Sequence, residues 1–121
     1  MNYIYMLRCK DNSLYTGIAS ELVNRMKTHF EGGASASKYV SSRGAAKLEC
    51  YWICNKPCIA ARLEYRLKTL TKKQKESLIL GETDLTDYFS QMLDCSLYEK
   101  GDMSKKELYK YTGEEIGEDG I

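Results

Sequence analysis

Five residues in the first half of the chain could do chemistry together: Tyr5, Tyr15, Arg25, His29 and Glu64. An arginine presents planar, forked donors that suit an oxyanion such as phosphate. A tyrosine can orient or deprotonate a water, but with an ordinary pKa of about 10 it acts as a base only beside a cation or metal ion. A histidine can relay a proton or hold a phosphate. A single carboxylate suits Mg2+, which keeps several of its waters. The set would serve phosphodiester hydrolysis, which needs an activated water, a neutralised phosphate and a stabilised leaving oxygen. Each residue also has a plainer use. The tyrosines can form a cross-strand pair, Arg25 can be a surface charge, His29 a capped core histidine and Glu64 a solvated helix flank.

The elements that must position these residues are legible around them. Residues 3–7 are apolar, aromatic and β-branched and read as a strand. Residues 10–13 carry turn chemistry, and residues 14–18 read as the return strand. A three-residue loop over residues 11–13 puts Tyr5 and Tyr15 on one side of the hairpin; a two-residue loop puts them on opposite sides. A helix follows Gly17 with Ser20 as its N-cap. Leu22, Met26 and Phe30, with Val23 beside them, give it a core face. Arg25 and His29, four apart, project together from the edge of that face.

Residues 31–37 read as a small flexible loop. Lys38, Tyr39 and Arg43 follow it on a segment expected to be mobile, a basic and aromatic mixture suited to a backbone phosphate and a stacked base. The plainer reading packs Tyr39 on the core and leaves Lys38 in solvent. Residues 47–54 form a third strand. Cys50, Cys54 and Cys58 lack CxxC spacing and read as buried small hydrophobes rather than a metal site. Pro57 opens the next helix, whose buried stripe is Ala60, Leu63, Leu67 and Leu70. Glu64 sits at the edge of that stripe, where spacing alone favours solvent. Arg62, Arg66 and Lys68 add positive charge. Thr71 can cap a further helix over residues 72–80, basic on its outer side through Lys72 and Lys73.

A chain of 121 residues makes one domain, or one with an appendage. No apolar run reaches the roughly 18 residues of a membrane span, and no leader pattern is visible. The five cysteines therefore suggest reduced thiols and a cytoplasmic protein. The net charge of +1 hides a split. Residues 1–79 hold 14 Lys and Arg against 6 Asp and Glu, whereas residues 80–121 hold 4 against 11. A basic body suits phosphate contacts, although a solubilising surface is the plainer use. In the acidic part, Asp84 or Thr86 can cap a helix reaching Leu97. Ser104 and Glu107 form a capping-box pattern for a short helix to Tyr111, and residues 112–121 are expected to be disordered.

The two triplets Tyr3-Ile4-Tyr5 and Tyr15-Thr16-Gly17, followed in order by Arg25, His29 and Glu64, resemble the GIY-YIG nuclease domain. The run over residues 63–75 resembles its small stand-alone bacterial members, and the likeness covers about residues 2–80. Tyr3 stands where the family name has Gly, Thr16 replaces Ile, and the asparagine of some members has no clear equivalent. The resemblance implies an α/β fold in residues 1–80, with a three-stranded antiparallel sheet flanked by helices. Residues 81–121 would be an acidic helical extension. It also implies a DNA endonuclease with Mg2+ (or Mn2+) held by Glu64, and Arg25 on the scissile phosphate. Tyr5 or Tyr15 would act on the water, His29 as a proton relay, and the products would be a 5′-phosphate and a 3′-hydroxyl. Lys38, Tyr39, Arg43, Arg62, Lys72 and Lys73 would hold nucleic acid. With no separate sequence-reading module visible, specificity would come from single strands or branches, in repair, recombination or uptake. Two rivals stand beside this reading. One is a non-catalytic nucleic-acid-binding module. The other is a protein-interaction role of the extension, for instance as a homodimer contact or a competitor for the basic cleft.

Overall fold

The computed structural model describes residues 1–32 and 37–113; the centre of the expected flexible loop and the tail from residue 114 lie outside the described residues. The strands β1 (Asn2–Cys9), β2 (Leu14–Ala19) and β3 (Ala45–Cys54) form an antiparallel sheet. A fourth strand, β4 (Glu99–Lys100), corrects the expected count of three: the order is β2-β1-β3-β4. At two polar residues, β4 has no alternation for a pattern search to find. It exists because Trp52 and Ile53 on β3 offer it backbone partners.

β1 is central, and Ile4, Tyr5, Met6 and Leu7 are all fully buried because both faces of the sheet are covered. Ile4, Met6, Cys50 and Trp52 pack under α3 (Pro57–Lys68) and α4 (Lys72–Leu80), through Leu63, Leu67 and Leu78. Tyr5, Leu7, Leu48 and Tyr51 pack on the other face under α1 (Leu22–Glu31) and α2 (Lys38–Arg43), through Leu22, Met26 and Val40. Adjacent residues thus serve opposite layers, as the strand period requires. Residues 81–113 enter both layers. Leu85 and Phe89 of α5 (Leu85–Phe89) join the first, and Leu108 and Tyr111 the second.

The hairpin loop lies at residues 10–12, one position earlier than expected. The Cys9 N–H donates to the Ser13 carbonyl at 2.9 Å, and Asn12 takes the left-handed turn with φ 72°. Its length is still three residues, so Tyr5 and Tyr15 share a face, with Tyr5 opposite Gly17 and Leu7 opposite Tyr15. β3 carries a bulge between the pairs to Met6 and Leu7, leaving Glu49 unpaired in the ladder. Its carboxylate meets Arg8 Nε at 2.5 Å, while Glu76 of α4 takes the other guanidinium nitrogens at 2.5 and 2.7 Å. Arg8 so fastens α4 to two strands.

Several local expectations shift. α1 starts after Glu21 with no side-chain cap, not at Ser20, and Val23 is 40% exposed rather than core. The segment carrying Lys38, Tyr39 and Arg43 is helical, capped by Ser37. Cys50 and Cys54 are buried but Cys58 is exposed on the first turn of α3. Thr71 forms a full capping box with Gln74. The helix capped by Asp84 stops at Phe89 rather than Leu97, because Asp94 caps a separate turn over residues 95–97. Ser104 caps nothing: its N–H and hydroxyl donate to Asp102, and the last turn, residues 106–111, starts without a side-chain cap. No helix among the described residues is long and apolar enough to cross a membrane.

The return of the chain past β4 rests on a close approach. The Gly101 N–H donates to the Tyr51 carbonyl at 2.8 Å, and a Cβ on Gly101 would fall 2.0 Å from the Tyr51 ring. That ring is buried and its hydroxyl donates to the Asp102 carbonyl at 3.0 Å. Gly101→Ala should therefore cost about 1–3 kcal/mol through overpacking, read as a lower urea midpoint at unchanged slope. An unchanged midpoint would show that the approach is not tight.

Candidate functional site

Register and a missing side chain build the site. Gly17 sits opposite Tyr5, and a Cβ there would lie 2.5 Å from the Tyr5 hydroxyl and 2.9 Å from the Tyr15 ring. Glycine lets the Tyr5 phenol cross the outer strand β2. The Tyr5 and Tyr15 rings are 6.2 Å apart. His29 meets both edge-on at 5.6 Å, and its Nε2 lies 2.6 Å from the Tyr5 hydroxyl. Arg25, one turn earlier on α1, reaches the same hydroxyl and donates to it.

Glu64 approaches from α3, which packs under β1 and β2 on the opposite face. Its charge acts on the Tyr5 phenol from there. Its side chain is a quarter exposed and pairs with the Lys68 ammonium at 3.2 Å. Spacing four apart on one helix could have revealed that partner. Among the described residues, no group of three His, Cys, Asp or Glu could hold a metal together. Glu64 offers one part-exposed carboxylate.

The electrostatics follow from burial. Burial pushes the Tyr5 phenol up to about 12, with the Tyr15 and Glu64 charges adding to it and the Arg25 hydrogen bond opposing. Burial first, and the Arg25 charge second, lower His29 to about 4. At neutral pH the pair is a protonated phenol and a neutral imidazole. Arg25 can only donate, so the phenol oxygen accepts from it and the hydroxyl proton is free for His29 Nε2. The imidazole proton then sits on Nδ1, which is buried and has no hydrogen-bond partner among the described residues.

The other nominated residues divide. The Tyr39 ring packs 5.7 Å from Tyr15, and the Arg43 guanidinium lies 3.8 Å over Tyr39 while pairing with Asp11 at 3.1 Å. These extend the aromatic cluster outward from Tyr15. Lys38 is exposed on the same helix. Arg62 is exposed on α3, and Lys72 and Lys73 are exposed on α4, where Lys72 stands 3.9 Å from Glu76; these three are not part of the tyrosine cluster. The role of Gly17 as the gap for Tyr5 was missed by residue chemistry, since a glycine carries no group to notice. The Asp11–Arg43 pair left no signal in spacing.

The chain is similar in sequence to known proteins. A family described as the GIY-YIG catalytic domain matches residues 1–77. A UPF0213 protein of Fusobacterium nucleatum is 40% identical over 77 residues, covering 64% of this chain and 75% of the relative. A UPF0213 protein of Clostridium perfringens is 43% identical over 83 residues, covering 69% and 87%. A solution structure of a UPF0213 protein from Bacillus halodurans is 31% identical, covers 78% of this chain and 98% of that one, and superposes with a TM-score of 0.43. With the family match spanning residues 1–77 of 121, the chain belongs to the GIY-YIG catalytic domain family.

Proposed function

We propose that the chain is a divalent-metal-dependent endonuclease that hydrolyses DNA phosphodiesters, directed by single strands or branches and serving repair, recombination or uptake in the cytoplasm. The observation that carries this is the convergence on the Tyr5 hydroxyl of Arg25, His29 and the Glu64 charge. Family membership supports nuclease chemistry independently.

The residues act as follows. Arg25 holds a non-bridging oxygen of the scissile phosphate with its forked donors. Tyr5, held by Arg25 and His29, orients the attacking water and relays its proton: the phenol takes one as it passes its own to His29 Nε2. A bound phosphate cancels part of the Arg25 charge that lowers His29, so the imidazole becomes a better acceptor when substrate is in place. Tyr15 closes the other side of the cluster against the Tyr5 and His29 rings. The water oxygen bonds to phosphorus, the bond to the 3′ oxygen breaks, and a 5′-phosphate and a 3′-hydroxyl result. Glu64 would hold Mg2+ or Mn2+. A single part-exposed carboxylate, with Lys68 able to swing away, fits an ion that keeps most of its waters. Such an ion supplies charge to the phosphate and acidifies water.

Cleavage of end-labelled single-stranded, duplex and branched DNA with Mg2+ or Mn2+ tests the reading. Cutting should vanish with chelator and in Glu64→Ala, and fall by roughly 10²–10⁴ in Tyr5→Phe. Cutting that survives Glu64→Ala, or DNA binding with no cutting of any substrate, would reject the enzyme.

His29 sets a pH dependence of stability. The unfolded imidazole takes its proton as pH falls past about 6.5, the folded one only near about 4. Between these values the unfolded state binds the extra proton, so stability declines as pH falls through this window and levels off below it. Urea midpoints across the window should show that slope in wild type and a flatter one in His29→Gln. Equal slopes would rule out the buried neutral imidazole.

A further inference from the structure

The helix that presents Glu64 has a second working face. Its buried stripe is Ala60, Leu63 and Leu67. At 3.6 residues per turn, Arg62, Tyr65 and Arg66 project from its outer side. Between them and the segment after α5 lies a cleft of about 490 Å3, lined by Ala61, Arg62, Tyr65, Arg66, Met92 and Leu93. Its walls are apolar groups held in water: Tyr65 is 64% exposed and Met92 55%. The Arg66 guanidinium stands 5.4 Å over the Tyr65 ring. Among the described residues neither Arg62 nor Arg66 has a carboxylate partner. Asp94, next along the chain, is committed elsewhere: its carboxylate accepts from the Ser96 N–H at 3.1 Å and the Ser96 hydroxyl at 2.5 Å.

We propose that this cleft is a subsite for an unpaired nucleotide of the substrate strand. The base lies against Tyr65 and Met92, and its phosphate is held by Arg62 and Arg66. This rests on the nuclease reading for the source of the strand. Charge complementarity selects the occupant. A wholly apolar peptide would strip water from two guanidinium groups and give them nothing in return. A paired base keeps its faces inside the stack, whereas an unpaired one can lay a face on an aromatic ring. The volume lies within the roughly 300–1,000 Å3 of small-ligand pockets. The path is short. Glu64 and Tyr65 are neighbours in sequence, and a strand leaving Glu64 passes Lys68 and crosses about one helix width, roughly 10–12 Å. Such a subsite makes an unpaired flank beside the scissile bond part of what is recognised, and gives the segment carrying Met92 and Leu93 a place in substrate binding.

The test measures anisotropy of labelled oligo(dT), an abasic strand of equal length and a blunt duplex, all with chelator so that nothing is cut. Alongside it, cleavage of a substrate with an unpaired flank is followed in Mg2+. Tyr65→Ala should weaken oligo(dT) roughly tenfold or more and leave abasic strand and duplex unchanged. Met92→Ala, on the facing wall, should do the same to a smaller extent. The Arg62→Ala, Arg66→Ala double variant should weaken both single strands and lower their salt slope by about 0.7. All these positions are surface ones, and unchanged thermal melts check the fold. Equal loss on all three ligands, no loss, or abasic strand bound by wild type as tightly as oligo(dT) would overturn the subsite. Cleavage separates the two readings. A wild type that cuts while Tyr65→Ala binds normally keeps the nuclease and loses the subsite. A wild type that discriminates oligo(dT) through Tyr65 but never cuts keeps the subsite and loses the nuclease.

Discussion

The site depends on one steric fact: the Tyr5 phenol crosses a strand at the only point where that strand has no side chain. With a Cβ at Gly17 only 2.5 Å from the hydroxyl, any other residue there would push the ring off His29 Nε2, now 2.6 Å away. The register must place Gly17, and no neighbour, opposite Tyr5. A shift of one residue would turn Tyr15 to the face that packs on α3 and leave Thr16 beside Tyr5. The short loop with its left-handed Asn12 therefore does more than reverse the chain. It sets which residues meet farther along the two strands, Tyr5 and Gly17 among them.

Burial on both faces makes this placement rigid and sets the chemistry at the same time. Because β1 is central, Tyr5 is fully buried, and burial is the leading cause of the raised phenol and lowered imidazole. The same packing that orders the two groups thus fixes them in neutral forms. A phenol and an imidazole in that state are poor acid and base taken separately. Joined by a short hydrogen bond, they can pass a proton in concert, so that the phenol never becomes a phenolate and the charge arrives on the imidazole.

The hairpin, the third strand and α3 and α4 were legible because each carries strong local signals: β-branched and aromatic runs, Pro57 at a first helical turn, and Thr71 with Gln74 as a capping box. The parity of Tyr5 and Tyr15 was legible only as a choice between loop lengths. Elements whose reason is tertiary were not legible. β4 is two residues long and exists by pairing to β3. Val23 fits the apolar period of α1 yet faces outward, since a helix of ten residues against one sheet face buries only a narrow stripe. The Ser104 pattern failed because Asp102, two residues earlier, is an ionised acceptor within reach. At Glu64, helical spacing pointed to solvent and the family resemblance to a metal. The side chain is a quarter exposed and paired with Lys68.

The charge split follows chain order more closely than it follows space. Residues 81–113 place Leu85 and Phe89 in one apolar layer and Leu108 and Tyr111 in the other, so acidic residues are carried over the basic body. Several of those carboxylates are engaged in local turns: Asp84 caps α5, Asp94 binds Ser96, and Asp102 binds Ser104. Hydrogen bonding holds Asp84 and Asp102 below the usual carboxylate range. These hydrogen bonds favour the ionised form of each carboxylate and tie it to local turn structure. Among the described residues the guanidinium groups of Arg62 and Arg66 have no carboxylate partner, and they stand beside the exposed Tyr65 ring. The acidic segment is joined to the rest of the fold mainly through its apolar residues.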